Sequence, residues 1–139
     1  MKIYFSGSVR GGRDYKELYL KIVEWLRAYG TVLTEHIANV QLSSYGEHAL
    51  SDQAIYARDM AWLDESDVVV AEVTMPSLGV GYELGEAVRA HKPTLCFFRT
   101  DSEGRLSAMV SGSPGIKVVT YKTEEDIKSA IDLFFMKAK

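Results

Sequence analysis

With 139 residues and a formal net charge of −3, the chain has the size of one ordinary domain, and its charge argues against wholesale electrostatic attraction to nucleic acid or an anionic membrane. Hydrophobic residues at 47% and charged residues at 25% are ordinary globular values, so folding needs neither disulfides nor metal. The single cysteine, Cys96, excludes an internal disulfide, no apolar run approaches the roughly 20 residues of a membrane span, and Met1 to Phe5 lacks signal-peptide anatomy, which makes the cytosol the expected address, with the nucleus open to so small a protein.

In chain order, Ile3 to Ser6 reads as a first strand and Gly7 to Arg13 as a glycine-rich turn. Tyr15 to Tyr29 carries Leu18, Ile22, Val23 and Leu26 at helical spacing and stops at Gly30. Thr31 to Thr34 is a brief second strand. The polar, irregular stretch from His36 to Leu50 is long enough for a functional loop or lid. Ser51 can cap a helix to about Asp64, and the β-branched run from Asp67 to Val73 predicts a strand covered on both faces. Met75 to Gly79 is a turn, Val80 to His91 a helix, and Thr94 to Phe98 a fourth strand that places Cys96 among apolar neighbours as an inert thiol. Arg99 to Pro114 is a second long connection with one helical turn near Ser107, followed by a strand at Ile116 to Tyr121 and an amphipathic helix at Glu124 to Lys137.

Strands alternating with helices predict right-handed crossovers, hence an α/β fold with a Rossmann-like, flavodoxin-type five-stranded parallel sheet and helices on both faces, the whole chain forming one domain. Ligands of such sheets bind beyond the carboxyl ends of the strands, near the point where strand order reverses. The turns after strands one and three and the loop after strand four are therefore the places to look for chemistry.

In the first turn, Ser6 to Arg13, glycines let backbone N–H groups close on an anion, the following helix offers its positive end, and Ser8 and Arg10 add donors. A phosphate suits it; the plainer reading is a glycine turn with solvated arginines. Neither a Walker loop nor the dinucleotide-binding glycine spacing is present. In the third turn, Glu83 lies one turn into a helix on the flank of its apolar stripe. It is either a carboxylate nucleophile held ionised by the helix N-terminus or a complement to the helix dipole. Asp59 falls with Ile55, Trp62 and Leu63 on one largely apolar helix face, where a carboxylate needs a task or an ion-pair partner, with Arg58 splayed elsewhere or an arginine of the first turn as that partner. Trp62, Tyr82, Phe97 and Phe98 read as core. His36, His48 and His91 have no metal-ligand spacing, and no Gly-x-Ser-x-Gly elbow marks a serine hydrolase.

Several segments taken together carry more than any one motif. Tyr4 to Arg13, Gly30 to His36, Asp67 to Thr74, Pro76 to Gly85 and Leu106-Ser107-Ala108-Met109 resemble, in order and spacing, the 2′-deoxynucleoside 5′-monophosphate N-glycosidases of the nucleoside 2-deoxyribosyltransferase superfamily. The likeness covers nearly the whole chain and is weakest from Asn39 to Gln53. It implies that Glu83 is the nucleophile attacking C1′ of the deoxyribose, that Asp59 helps the base to leave by donating or relaying a proton, and that Tyr4 orients Glu83 through its hydroxyl. Ser8, Arg10, the Gly11 and Gly12 amides and Ser77 would hold the 5′-phosphate, with Ser107 reaching it from the neighbouring subunit of a homodimer. Val9, His36 and Ile55 would line the base pocket. No cofactor, metal, nucleic acid or membrane is implied.

The transferases of that superfamily, which exchange bases on unphosphorylated deoxynucleosides, carry an acidic residue where Ser77 stands, six positions before the nucleophile. A neutral donor there favours a monophosphate. The expected activity is hydrolysis to free base and 2-deoxyribose 5-phosphate through a covalent glycosyl-glutamate. Base exchange by a transferase and a non-catalytic nucleotide-binding protein are the alternatives. Nothing in the sequence selects the base; 5-hydroxymethyluracil is one leaving group that the resemblance admits.

Overall fold

The computed structural model describes residues 1–9, 12–35 and 50–137. In chain order its elements are β1 (Lys2–Gly7), α1 (Arg13–Arg27), β2 (Thr31–Val32), α2 (Asp52–Glu65), β3 (Val68–Glu72), α3 (Leu78–Arg89), β4 (Thr94–Arg99), the single-turn α4 (Ala108–Ser111), β5 (Ile116–Tyr121) and α5 (Glu124–Lys137). The strands form one parallel sheet in the spatial order β2-β1-β3-β4-β5, the flavodoxin-type arrangement expected. Strand order reverses between β1 and β3, where the register sets Ser6 beside Ala71 and Gly7 beside Glu72. That is the switch point at which such a sheet receives a ligand.

Alternation along the strands divides the core in two. Ile3, Phe5, Val68, Val70, Leu95 and Phe97 face α1 and α5, where they meet Leu18, Ile22, Leu26, Ile127 and Ile131. Tyr4, Val69, Ala71, Val73 and Cys96 face the other way, toward Leu63 of α2 and Val80, Leu84 and Ala87 of α3. Tyr4 and Ser6 therefore share the face covered by α2 and α3. Burial pushes the Cys96 thiol up to about 12.

Three boundaries differ from the sequence expectation for identifiable reasons. Gly12, at φ 85°, is a left-handed N-cap that only glycine adopts without strain, so α1 starts at Arg13 rather than Tyr15. β2 ends at Val32 because Thr34 uses its side chain, its Oγ1 accepting from Phe5 N at 2.7 Å and donating to Phe5 O at 2.5 Å. α3 starts at Leu78 because the Ser77 hydroxyl accepts from Val80 N at 3.3 Å. Most of the connection from His36 to Leu50 lies outside the described residues.

One buried polar lock holds the strand ends together. Glu72, wholly buried, accepts at Oε1 from Thr74 N at 3.2 Å, from the Thr74 hydroxyl, and from the Tyr121 hydroxyl at 3.2 Å. Thr74 Oγ1 in turn accepts from Arg99 N at 2.9 Å. The ends of β3, β4 and β5 are thus tied at the start of the turn that leads to Ser77.

Candidate active site

Glu83 is the sixth residue of α3, beyond the first turn where a helix dipole acts strongly. Its side chain leans back over the sheet, and Ser6 of β1 donates to Glu83 Oε2 at 2.5 Å. Burial pushes the carboxyl up to about 7; the Ser6 hydrogen bond opposes that rise and the charge of Asp59 adds to it. The expectation that the helix N-terminus keeps Glu83 ionised is thus corrected, because desolvation outweighs a dipole a full turn away. At neutral pH the group is divided between its charged and neutral forms.

The Tyr4 hydroxyl is buried beside Glu83, with Asp59 also close enough to act on it. Burial first, then those two negative charges, push its pKa up, so it stays a phenol. Ser6, which the sequence reading did not single out, hydrogen-bonds the same carboxyl that Tyr4 is expected to orient. Directly before the glycine turn, two residues after Tyr4 and on the same strand face, Ser6 could have been found from the period of the strand alone.

Glu83 opens onto a cavity of about 360 Å³ lined by Asp52, Ile55, Tyr56, Asp59, Met60, Gly79, Tyr82 and Glu83. Ile55 and Asp59, one helical turn apart, come to it together. Asp59 also has its ion-pair partner: Arg58 reaches Asp59 Oδ1 through Nε at 3.0 Å and through its terminal nitrogen at 2.9 Å, and lies over the Trp62 ring at 4.8 Å. Arg58 is therefore not splayed elsewhere, since stacking on Trp62 turns it back toward its neighbour. Tyr82 is not core either. It is 52% exposed at the mouth of this cavity, because it stands two residues from both Val80 and Leu84 and so points about 160° away from the buried stripe.

Ser77 and Ser107 line a second, larger cavity of about 770 Å³, walled by Leu78, Val80, Leu106 and Val110 among others. Both serines are helix N-caps, Ser107 accepting from Met109 N at 3.2 Å. Ser8 is buried at the end of β1 and Val9 half-buried after it, next to the switch point. Gly12 has open space on the side where a Cβ would stand, so its cap position is clear of neighbours. Arg10, Gly11 and His36 lie outside the described residues. No group of three or more His, Cys, Asp or Glu side chains gathers to hold a metal among the described residues.

A carboxyl whose pKa burial raises to about 7, in one cavity with Asp59 and Asp52, marks this end of the sheet as the candidate site. The sequence model described as nucleoside 2-deoxyribosyltransferase matches residues 3–126. The chain belongs to that family. A 5-hydroxymethyl-dUMP N-hydrolase of Tetraodon nigroviridis is 50% identical over 142 aligned residues that span 100% of both chains. One of Mus musculus is 52% identical over 137 residues, covering 96% of this chain and 79% of its own. Among solved structures, a Clostridium botulinum CMP N-glycosidase superposes with a TM-score of 0.68 over 96% of this chain and 99% of that one, at 14% identity, a likeness of fold. The deoxyribosyltransferase match runs from β1 into α5 and so takes in both turns at the switch point and the three acidic residues of the cavity, Asp52, Asp59 and Glu83. In this member of the family no described helix is long and apolar enough to cross a membrane.

Proposed function

We propose that the chain hydrolyses the N-glycosidic bond of 2′-deoxynucleoside 5′-monophosphates, releasing the free base and 2-deoxyribose 5-phosphate. The observation that carries this reading is the part-buried Glu83 carboxyl, fixed by Ser6 and facing a cavity shared with Asp59. In the ionised form Glu83 attacks C1′ and the C1′–N bond breaks, its electron pair leaving with the base, which takes a proton relayed by Asp59. Water then attacks C1′ of the glycosyl ester, gives up its proton, and Glu83 departs as a carboxylate. The Tyr4 hydroxyl, buried beside the carboxyl, is a donor on hand when Glu83 ionises. Deoxyribose lacks the electron-withdrawing 2′-hydroxyl, so positive charge develops more easily at C1′ and a carboxylate nucleophile suffices.

The phosphate is the handle that places C1′ against Glu83. Ser8, Arg10, Gly11, Gly12 and Ser77 are its proposed partners, with His36, Val9 and Ile55 toward the base. Two exposed apolar side chains at the rim of the Ser77 cavity, Leu78 at 97% and Met109 at 84%, support a homodimer in which this face is covered and Ser107 serves the neighbouring site.

Incubation with 5-hydroxymethyl-dUMP, dGMP, dCMP, GMP and deoxyguanosine, with base release followed by chromatography and sedimentation run on the same sample, tests the reading. Release from the deoxynucleoside monophosphates and not from deoxyguanosine is expected. Equal activity on deoxyguanosine would remove the phosphate from the argument. Base exchange with an added free base that outruns hydrolysis would make the chain a transferase.

A further inference from the structure

The chemistry above leaves Tyr56 and Tyr82 without a role, although both stand at the mouth of the cavity that holds Asp59 and Glu83. They are 55% and 52% exposed, whereas Tyr4, Tyr19, Phe5, Phe97 and Phe135 are fully buried. The two rings meet edge to face with centroids 6.0 Å apart and planes at 68°, and their hydroxyls lie 3.1 Å apart. Helix geometry brings them there. Tyr56 precedes Asp59 by three residues on α2 and shares its face, and Tyr82 follows Gly79 by three on α3. Gly79 presents no side chain between them and Glu83.

The geometry points to Tyr56 and Tyr82 as an aromatic rim that receives the nucleobase, a base-binding pair that rests on the nucleotide-cleaving reading of this site. The direction of the substrate is constrained at two points. C1′ must lie against Glu83, and the phosphate must lie toward the glycine turn beyond Ser6. The base is attached to C1′ and extends away from the phosphate, along the cavity, where Ile55 and Met60 form one wall and the tyrosines the mouth. Aromatic faces stack on any base, and so provide affinity without strong sequence preference. The hydroxyl pair adds a polar edge: one hydrogen bond between two hydroxyls uses one hydrogen and leaves the other free to meet a polar group on the base.

The competing role is mechanical, since the same hydroxyl contact straps α2 to α3. Calorimetric titration of the Glu83→Gln chain, which removes turnover, separates the two. The ligands are dGMP, dCMP and the base-free product 2-deoxyribose 5-phosphate. In that background Tyr56→Ala and Tyr82→Ala are each expected to weaken both nucleotides about tenfold, the effect of losing one stacking ring, and to leave the sugar phosphate within about twofold. Tyr56→Phe and Tyr82→Phe keep the rings and should hold nucleotide affinity within about threefold. Equal weakening of nucleotides and sugar phosphate in the alanine variants would make the pair a strap and overturn the rim. So would alanine variants that bind nucleotide as well as their parent, or a parent that binds no nucleotide. Base release by the unmodified chain is scored separately: its absence sinks the hydrolase reading, while the affinity ratios still decide the rim.

Discussion

Glu83 and Glu72 are carboxyls taken out of water on opposite faces of the same sheet, and burial pushes both upward in pKa. Their surroundings differ. Glu72 is wholly enclosed, its Oε1 accepting from Thr74 N, the Thr74 hydroxyl and the Tyr121 hydroxyl, and it serves to tie three strand ends. Glu83 has Ser6 as its hydrogen-bond donor, a second carboxylate nearby and an opening of about 360 Å³ in front of it. Desolvation alone therefore does not mark chemistry in this fold. What separates the two acids is access: Glu72 is enclosed, with three donors on Oε1 and none among the described residues on Oε2, whereas Glu83 faces a cavity with room for a reacting atom.

The widest gap between them is expected when each is neutralised. Glu83→Gln should abolish base release, by about a thousandfold or more, because an amide is no nucleophile. It should also stabilise the fold at alkaline pH. The folded-state pKa of about 7 lies above the ordinary 4.5, so the native state holds its proton more tightly than the unfolded chain. The contribution of Glu83 to native stability is then greatest below pH 4.5, falls as pH rises from 4.5 to about 7, and stays reduced above that by on the order of 3 kcal/mol. Thermal unfolding of both proteins across that range reads the difference: glutamine gains at pH 8 and the gain closes below pH 4.5. A variant that loses activity but gains no alkaline stability would mean that Glu83 is not held against its solvation.

Glu72→Ala should invert the pattern. Thr74 N–H, the Thr74 hydroxyl and the Tyr121 hydroxyl lose their common acceptor inside the protein, a loss of about 3 kcal/mol by urea unfolding. Turnover per folded molecule should remain within a few-fold, as Glu72 reaches no part of the proposed substrate path. If the rate collapsed while stability held, the two acids would have to exchange roles.

Much of this layout is legible in the sequence. The unbroken β-branched run at Val68 to Val70 declared a strand covered on both faces, and helical spacing put Ile55 and Asp59 on one side of α2, where the cavity has them. Glu83 was reachable because the switch-point rule singles out the turn before it. Misreadings came from what tertiary packing decides. Tyr82 has the composition of a core residue and lies half exposed, because it stands opposite the stripe of Val80, Leu84 and Ala87, and helical position outweighs aromatic character. The Glu72 lock joins residues from β3 and β5 that no local pattern connects. The meeting of Ser77 and Ser107 in one cavity depends on the path of the connection after β4, which has no period to read. Arg10, Gly11 and His36, central to the expected phosphate and base contacts, lie outside the described residues.

Ser6 offers the finest test of the comparison, because its hydroxyl is what Glu83 has in place of the lock around Glu72. A hydrogen bond to the ionised form lowers a carboxyl pKa, so Ser6 opposes the rise that burial causes. Ser6→Ala removes that opposition, and the Glu83 pKa should move above 7. The ionised nucleophile then appears at higher pH, so the acid limb of the base-release profile shifts toward alkali. At pH 6.5 the variant should lose about tenfold in rate, one pKa unit's worth of ionisation, and recover most of it by pH 9. A loss of equal size at every pH would assign Ser6 to placing the carboxyl rather than tuning it, and an unchanged profile would mean that the Tyr4 hydroxyl, buried beside the same carboxyl, has taken over the donation.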